Sequence, residues 1–90
     1  IGGEVAAVVG NLLKALGKNC QVFCVTHLAQ VAAKGDQHLC VSKVVDKSSA
    51  TTSVDQLDTE KRKIELARMV SGDAITASTL AHASDLLEPA

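Results

Sequence analysis

The reactive side chains of the first half of the chain are Cys20, Cys24, His27, His38 and Cys40. Cysteine and histidine are the ligands that zinc selects. The spacing argues against a metal. On an extended segment Cys20 and Cys24 lie about 13 Å apart at ~3.3 Å per residue. Both cannot reach one ion at the ~2.3 Å zinc–sulfur distance. No metal site is expected, and the cysteines read as small core residues. Cys24 and His27 have the composition of a nucleophile and its base. However, Cys24 lies inside the apolar run Val22-Phe23-Cys24-Val25. An apolar interior disfavours the thiolate that such chemistry needs. His82 and Asp85, three apart on a helix, read as a surface pair. His38 reads as an edge-strand residue, and Arg62 and Arg68 as charges on solvated helix faces, with a partner interface as the alternative.

His27 stands differently. The run from Gln21 through Thr26 predicts a strand buried on both faces, as in an α/β sheet. Thr26-His27 then falls at its carboxyl end, where open α/β sheets bind ligands. An imidazole N–H there can donate to an anionic oxygen, and its charge state responds near neutral pH.

The elements that must hold this histidine follow from periodicity. Val5, Val8, Val9, Leu12, Leu13 and Leu16 form a helical stripe. They predict a helix over residues 4–16, closed by Gly17 as a left-handed cap. Residues 21–26 are the parallel-type central strand, and a short helix over 28–33 follows. Residues 38–45 and 51–57 are rich in β-branched side chains around the polar link 46–49, which predicts a β-hairpin. Its adjacent Ser42 and Lys43 suit an edge position. Asp58 caps a helix over 59–71, with Glu60 in its first turn and Ser71-Gly72 at its end. Ile64, Ala67 and Val70 line one side of that helix, beside Leu66 and Met69. A last helix spans 76–87, with Leu80, Ala83 and Leu87 inward and Leu86 beside them. The class is α/β, with a partial sheet and flanking helices in one domain over residues 1–90.

Composition narrows the function. Ninety residues make one small domain near the lower limit for folding alone. Apolar residues are 47% of the chain, but Phe23 is the only aromatic. That removes the stacking platforms of a single-strand nucleic-acid binder. The net charge of −1, with no basic stripe, is a poor grip for DNA. Three cysteines make no disulfide framework and suit a reducing cytosol. No apolar run reaches the ~20 residues that cross a membrane. The chain starts at Ile1 rather than Met, so a segment of a longer protein is the expectation.

The stretch Cys24-Val25-Thr26-His27-Leu28-Ala29-Gln30-Val31-Ala32 closely resembles the CVTHLPQVA motif of the RecN family of bacterial DNA repair ATPases, relatives of the structural-maintenance-of-chromosomes and ABC ATPases. The resemblance continues through His38, Val41-Ser42-Lys43, Glu65-Leu66-Ala67-Arg68-Met69, Gly72, Thr76, Thr79-Leu80-Ala81-His82-Ala83 and Leu86-Leu87. Ala29 departs from it, standing where the family usually has proline. The resemblance implies the carboxyl-terminal lobe of a P-loop NTPase head. His27 would be the switch histidine that contacts the ATP γ-phosphate, with Thr26 beside it at the nucleotide. Ile1, Gly2 and Gly3 would be the tail of the D-loop, at the interface with a second head in a homodimer. ATP and Mg²⁺ would be held in the full-length protein by the P-loop, signature and Walker B motifs upstream. This chain has no GxxxxGK[ST], so neither tight ATP binding nor hydrolysis is expected of the segment alone. DNA would be reached indirectly, through segments outside this one, in recombination and repair of double-strand breaks. The setting implied is the bacterial cytoplasm, associated with the nucleoid and with no membrane. The alternative is a non-enzymatic α/β protein-interaction module whose Thr26-His27 edge meets a partner.

Overall fold

The computed structural model describes residues 2–88. Along them run α1 (Gly3–Leu16), α2 (Ala29–Ala32), β1 (Leu39–Val45), β2 (Ala50–Gln56), α3 (Thr59–Ser71) and α4 (Ala77–Leu87). Ile1, assigned above to the D-loop tail, lies outside the described residues.

Local chemistry sets the ends of the last two helices. The Asp58 carboxylate accepts the Lys61 amide at 2.8 Å, satisfying a donor that α3 itself cannot pair. Gly72 ends α3 at φ +71°, where a side chain would be strained. Thr76 and Thr79 form a reciprocal capping box at the start of α4: each side-chain oxygen accepts the other's amide, at 3.2 and 2.9 Å.

The core lies where α2, α3 and α4 meet. Leu66, Ala67 and Ala83 are fully buried, with Ala29 and Ala33 against them. Leu80, Leu86, Leu87 and Met69 pack around this centre. Leu66 is the largest side chain in it, so α2 approaches α3 closely through alanines. The inward side of α3 is therefore that of Leu66, Ala67 and Met69. Ile64 and Val70, expected inside, are about half exposed.

Helix α1 packs on α2 through small residues rather than through its apolar stripe. Ala6 and Gly10 are buried, whereas Val5, Val8, Leu12 and Leu16 stand more than half exposed. A Cβ on Gly10 would sit 3.1 Å from the Gln30 carbonyl oxygen and 2.9 Å from Lys34 Cγ. This close approach accounts for a glycine inside the helix, despite its propensity cost of about 1 kcal/mol. Gly17 is not left-handed: at φ −63° and ψ −14° it continues the right-handed winding. The Lys18, Asn19 and Cys20 amides then bond back to Ala15 and Leu16 in tightened turns.

β1 and β2 pair antiparallel from Leu39↔Gln56 to Val45↔Ala50, as expected within a residue at each end. Among the described residues their sheet has two strands, so both are edges there. One face carries Leu39, Val41 and Val45 opposite Val54 and Ala50, interrupted by Lys43 and Thr52.

The central strand does not form. Residues 21–26 have no regular secondary structure and pair with no strand of the described residues. Phe23 is 77% exposed and Val25 fully so. An apolar run becomes a buried strand only with neighbours on both edges and layers on both faces. No described residues supply them. The parallel sheet is thus absent from these elements, and the architecture is mixed α/β with one antiparallel hairpin. Cys20 and Cys24, expected in the core, are exposed, and Cys40 is half-buried; all three are free thiols.

Candidate functional site

His27 sits at the junction between this run and α2. The Thr26 hydroxyl oxygen accepts the Leu28 amide at 3.0 Å, closing a short turn around His27. Leu28 is extended, at φ −98° and ψ 119°, and caps α2. Its carbonyl accepts the Val31 and Ala32 amides at 3.1 and 3.0 Å. The backbone on both sides of His27 is therefore tied to α2, while its side chain is exposed. The Thr26 hydroxyl keeps its own proton for a further partner, because the Leu28 bond uses only the oxygen.

This turn borders an open cleft of about 1070 Å³. The run Cys20–His27 forms one wall. Val31, Cys40, Glu65, Arg68 and Met69 contribute to the other.

The D-loop candidates fall at the start of α1. Gly2 is its extended N-cap and Gly3 its first residue. A Cβ on Gly3 would meet Nε2 of Gln30, a residue of α2 three positions past His27, at 3.4 Å.

Cations surround the cleft. Lys14 pairs with Asp36 at 3.1 Å. Arg68 makes a two-armed bond to Glu65, with Nε 2.9 Å from Oε2 and Nη2 on Oε1. That bond, reinforced by the Arg68 charge, holds the Glu65 carboxyl below its usual range against the opposing effect of burial. Burial, then the nearby Arg62 charge, pushes the His38 imidazole below its ordinary value, opposed by Glu65. Among the described residues no three His, Cys, Asp or Glu side chains converge as a metal site would require.

Arg62, read from the sequence as a solvated charge, is instead bonded to the end of α2. Its Nη2 donates to the carbonyls of Ala32, Ala33 and Gly35 at 3.0, 3.1 and 2.5 Å. Nothing local marks this role, because the partners lie about thirty residues upstream. The Glu65–Arg68 bond is an (i, i+3) pair of opposite charges on one helix, where Arg68 alone had been read as a solvated charge.

The class defined so far is a mixed α/β segment with a histidine held at the head of a one-turn helix. No family model matches the chain. Relatives do. It is 51% identical to the DNA repair protein RecN of Vibrio cholerae over 97% of its own length, and 46% identical to that of Treponema pallidum over 97%. It is 42% identical to the RecN of Streptomyces coelicolor over 100%. These matches cover 16%, 15% and 16% of the relatives' lengths, so the chain spans about one sixth of the proteins it resembles. In sequence the chain belongs to the RecN family of DNA repair proteins.

No helix of the described residues is long and apolar enough to cross a membrane.

Proposed function

We propose that this chain is the carboxyl-terminal lobe of a RecN ATPase head and that His27 is its switch histidine. The observation that carries the reading is the exposed run Phe23–Val25, beside half-buried Val22, which leads directly into His27. An apolar segment with exposed side chains is unfavourable unless further strands cover it. The remainder of a RecN-length chain supplies room for such strands.

In this reading the run becomes a sheet strand, and Thr26-His27 lies at the rim where nucleotide phosphates gather. The His27 N–H donates to a terminal phosphoryl oxygen, where charge develops during phosphoryl transfer. The donors present fit one such contact. They do not fit a whole triphosphate, because the phosphate-cradling loop and the carboxylate for Mg²⁺ lie elsewhere in the full-length protein. The isolated segment is accordingly inactive. ATP with Mg²⁺ supplies the phosphoryl group and its charge neutralisation in the intact head.

Ile1, Gly2 and Gly3 serve as the D-loop tail, at the interface with a second head in a homodimer. Closure of two heads on ATP then couples turnover to DNA, which other segments hold. The process served is recombinational repair of double-strand breaks in the bacterial cytoplasm, at the nucleoid.

Genetic complementation tests this. In cells lacking the full-length protein, the His27→Ala form fails to restore survival after double-strand breaks. Survival equal to wild type would overturn the switch role and favour a non-enzymatic interaction module.

A further inference from the structure

We propose that Arg62 is a positioning residue for His27, acting through α2; the inference rests on the switch role proposed above. A helix of one turn cannot hold itself in water, because nucleation is unfavourable. α2 spans only Ala29–Ala32, so outside groups must fix both of its ends.

The amino end is fixed by the Thr26–Leu28 bond. The carboxyl end presents carbonyls that have no partner within the helix. The Gly35 amide reaches the Ala32 carbonyl at 3.2 Å, and Arg62 adds a side-chain donor from α3. Its Nη2 reaches the Ala32, Ala33 and Gly35 carbonyls together, at 3.0, 3.1 and 2.5 Å. A cation there also complements the negative end of the helix dipole. Nη2 carries two N–H groups for three acceptors, so one of them is shared between two carbonyls, a three-centre arrangement common at helix ends. Arg62 lies in the second turn of α3, whose Leu66 and Ala67 are fully buried. The clamp is therefore anchored in the firmest part of the fold.

The mechanical path is short. Arg62 holds the Ala32 and Ala33 carbonyls. The Ala32 amide holds the Leu28 carbonyl at 3.0 Å. The Leu28 amide holds Thr26 across His27. Releasing the carboxyl end of α2 lets the turn that carries the imidazole drift.

The test is a double-mutant cycle on ATP turnover by the full-length protein, with Arg62→Met, His27→Ala and the two combined. Misplacing a reacting group by a fraction of an ångström lowers turnover, here by about tenfold in kcat, with KM for ATP within about twofold. In the His27→Ala background the further loss from Arg62→Met is expected to vanish, because no imidazole remains to position. An equal loss in both backgrounds would make Arg62 merely structural and overturn the inference. So would wild-type turnover in Arg62→Met beside an impaired His27→Ala, with the switch role left standing. Wild-type turnover in His27→Ala would remove the switch role, and the inference with it. Should Arg62→Met fail to fold, Arg62→Lys carries the test: hydrogen exchange across residues 29–33 is faster than wild type. Unchanged exchange would overturn the clamp.

Discussion

The Thr26 hydroxyl and the Leu28 amide meet at 3.0 Å, with His27 enclosed between them. This bond is the shortest tie between the imidazole's backbone and α2. Replacing Thr26 by Val keeps the shape and removes the acceptor. A net hydrogen bond is worth about 1 kcal/mol, or roughly fivefold in the population of the closed turn. Turnover by the full-length Thr26→Val protein is expected to fall by about that factor, while Thr26→Ser stays near wild type. Steady-state ATP hydrolysis measures both. Equal rates for Val and Ser would show that α2 holds the turn without this bond.

Ala29 offers the opposite kind of change. It is the first residue of α2, where a helix has no use for the amide proton and proline is favoured. Leu28 before it is already extended, at φ −98° and ψ 119°, as the residue preceding a proline must be. Ala29→Pro, which restores the proline usual in the family, is expected to stabilise the protein by about 0.4–1 kcal/mol through a less flexible unfolded chain. Denaturant unfolding reads this as a higher midpoint at unchanged slope. A lower midpoint would mean that the tightly packed site around Ala29 rejects the ring.

Two groups link stability to pH with the same sign. His38 is shifted below 6.5, chiefly by burial and then by the Arg62 charge. Glu65 is shifted below 4.5, chiefly by its hydrogen bond from Arg68. In each case the unfolded chain takes up the proton first as pH falls. The stability each contributes is complete above its unfolded value and is lost as pH drops through the folded one. Melting temperature is therefore expected to decline in two stages, one beginning below pH 6.5 and one below pH 4.5. His38→Gln removes the upper stage and Arg68→Gln shrinks the lower. A His38→Gln profile that superimposes on wild type would contradict the assignment.

These contrasts explain what could be read from the sequence. The ends of α3 and α4 were legible because Asp58, Gly72 and Thr76 act within three or four residues of themselves. The hairpin was legible because β-branched runs around a polar link need no distant partner to be recognised. The apolar stripe of α1 misled, because apolar residues mark a face to be covered without naming the element that covers it. Here α2 takes the Ala6–Gly10 side, and Val5, Val8 and Leu12 remain outside. The run at 21–26 misled for the same reason on a larger scale, since a strand's burial belongs to its neighbours. At the candidate site, His27 and Thr26 stood out through a motif. Arg62 did not, because its carbonyl partners are defined only once α2 and α3 pack.

The central claim is that His27 acts on the nucleotide in the intact RecN head. Its most direct test is ATP turnover by the full-length protein carrying His27→Ala, at saturating ATP and with nucleotide binding measured alongside. Loss of one donor aimed at developing charge typically lowers kcat by about a hundredfold or more. The account predicts a fall of that order with ATP still bound. Turnover at the wild-type rate would contradict it.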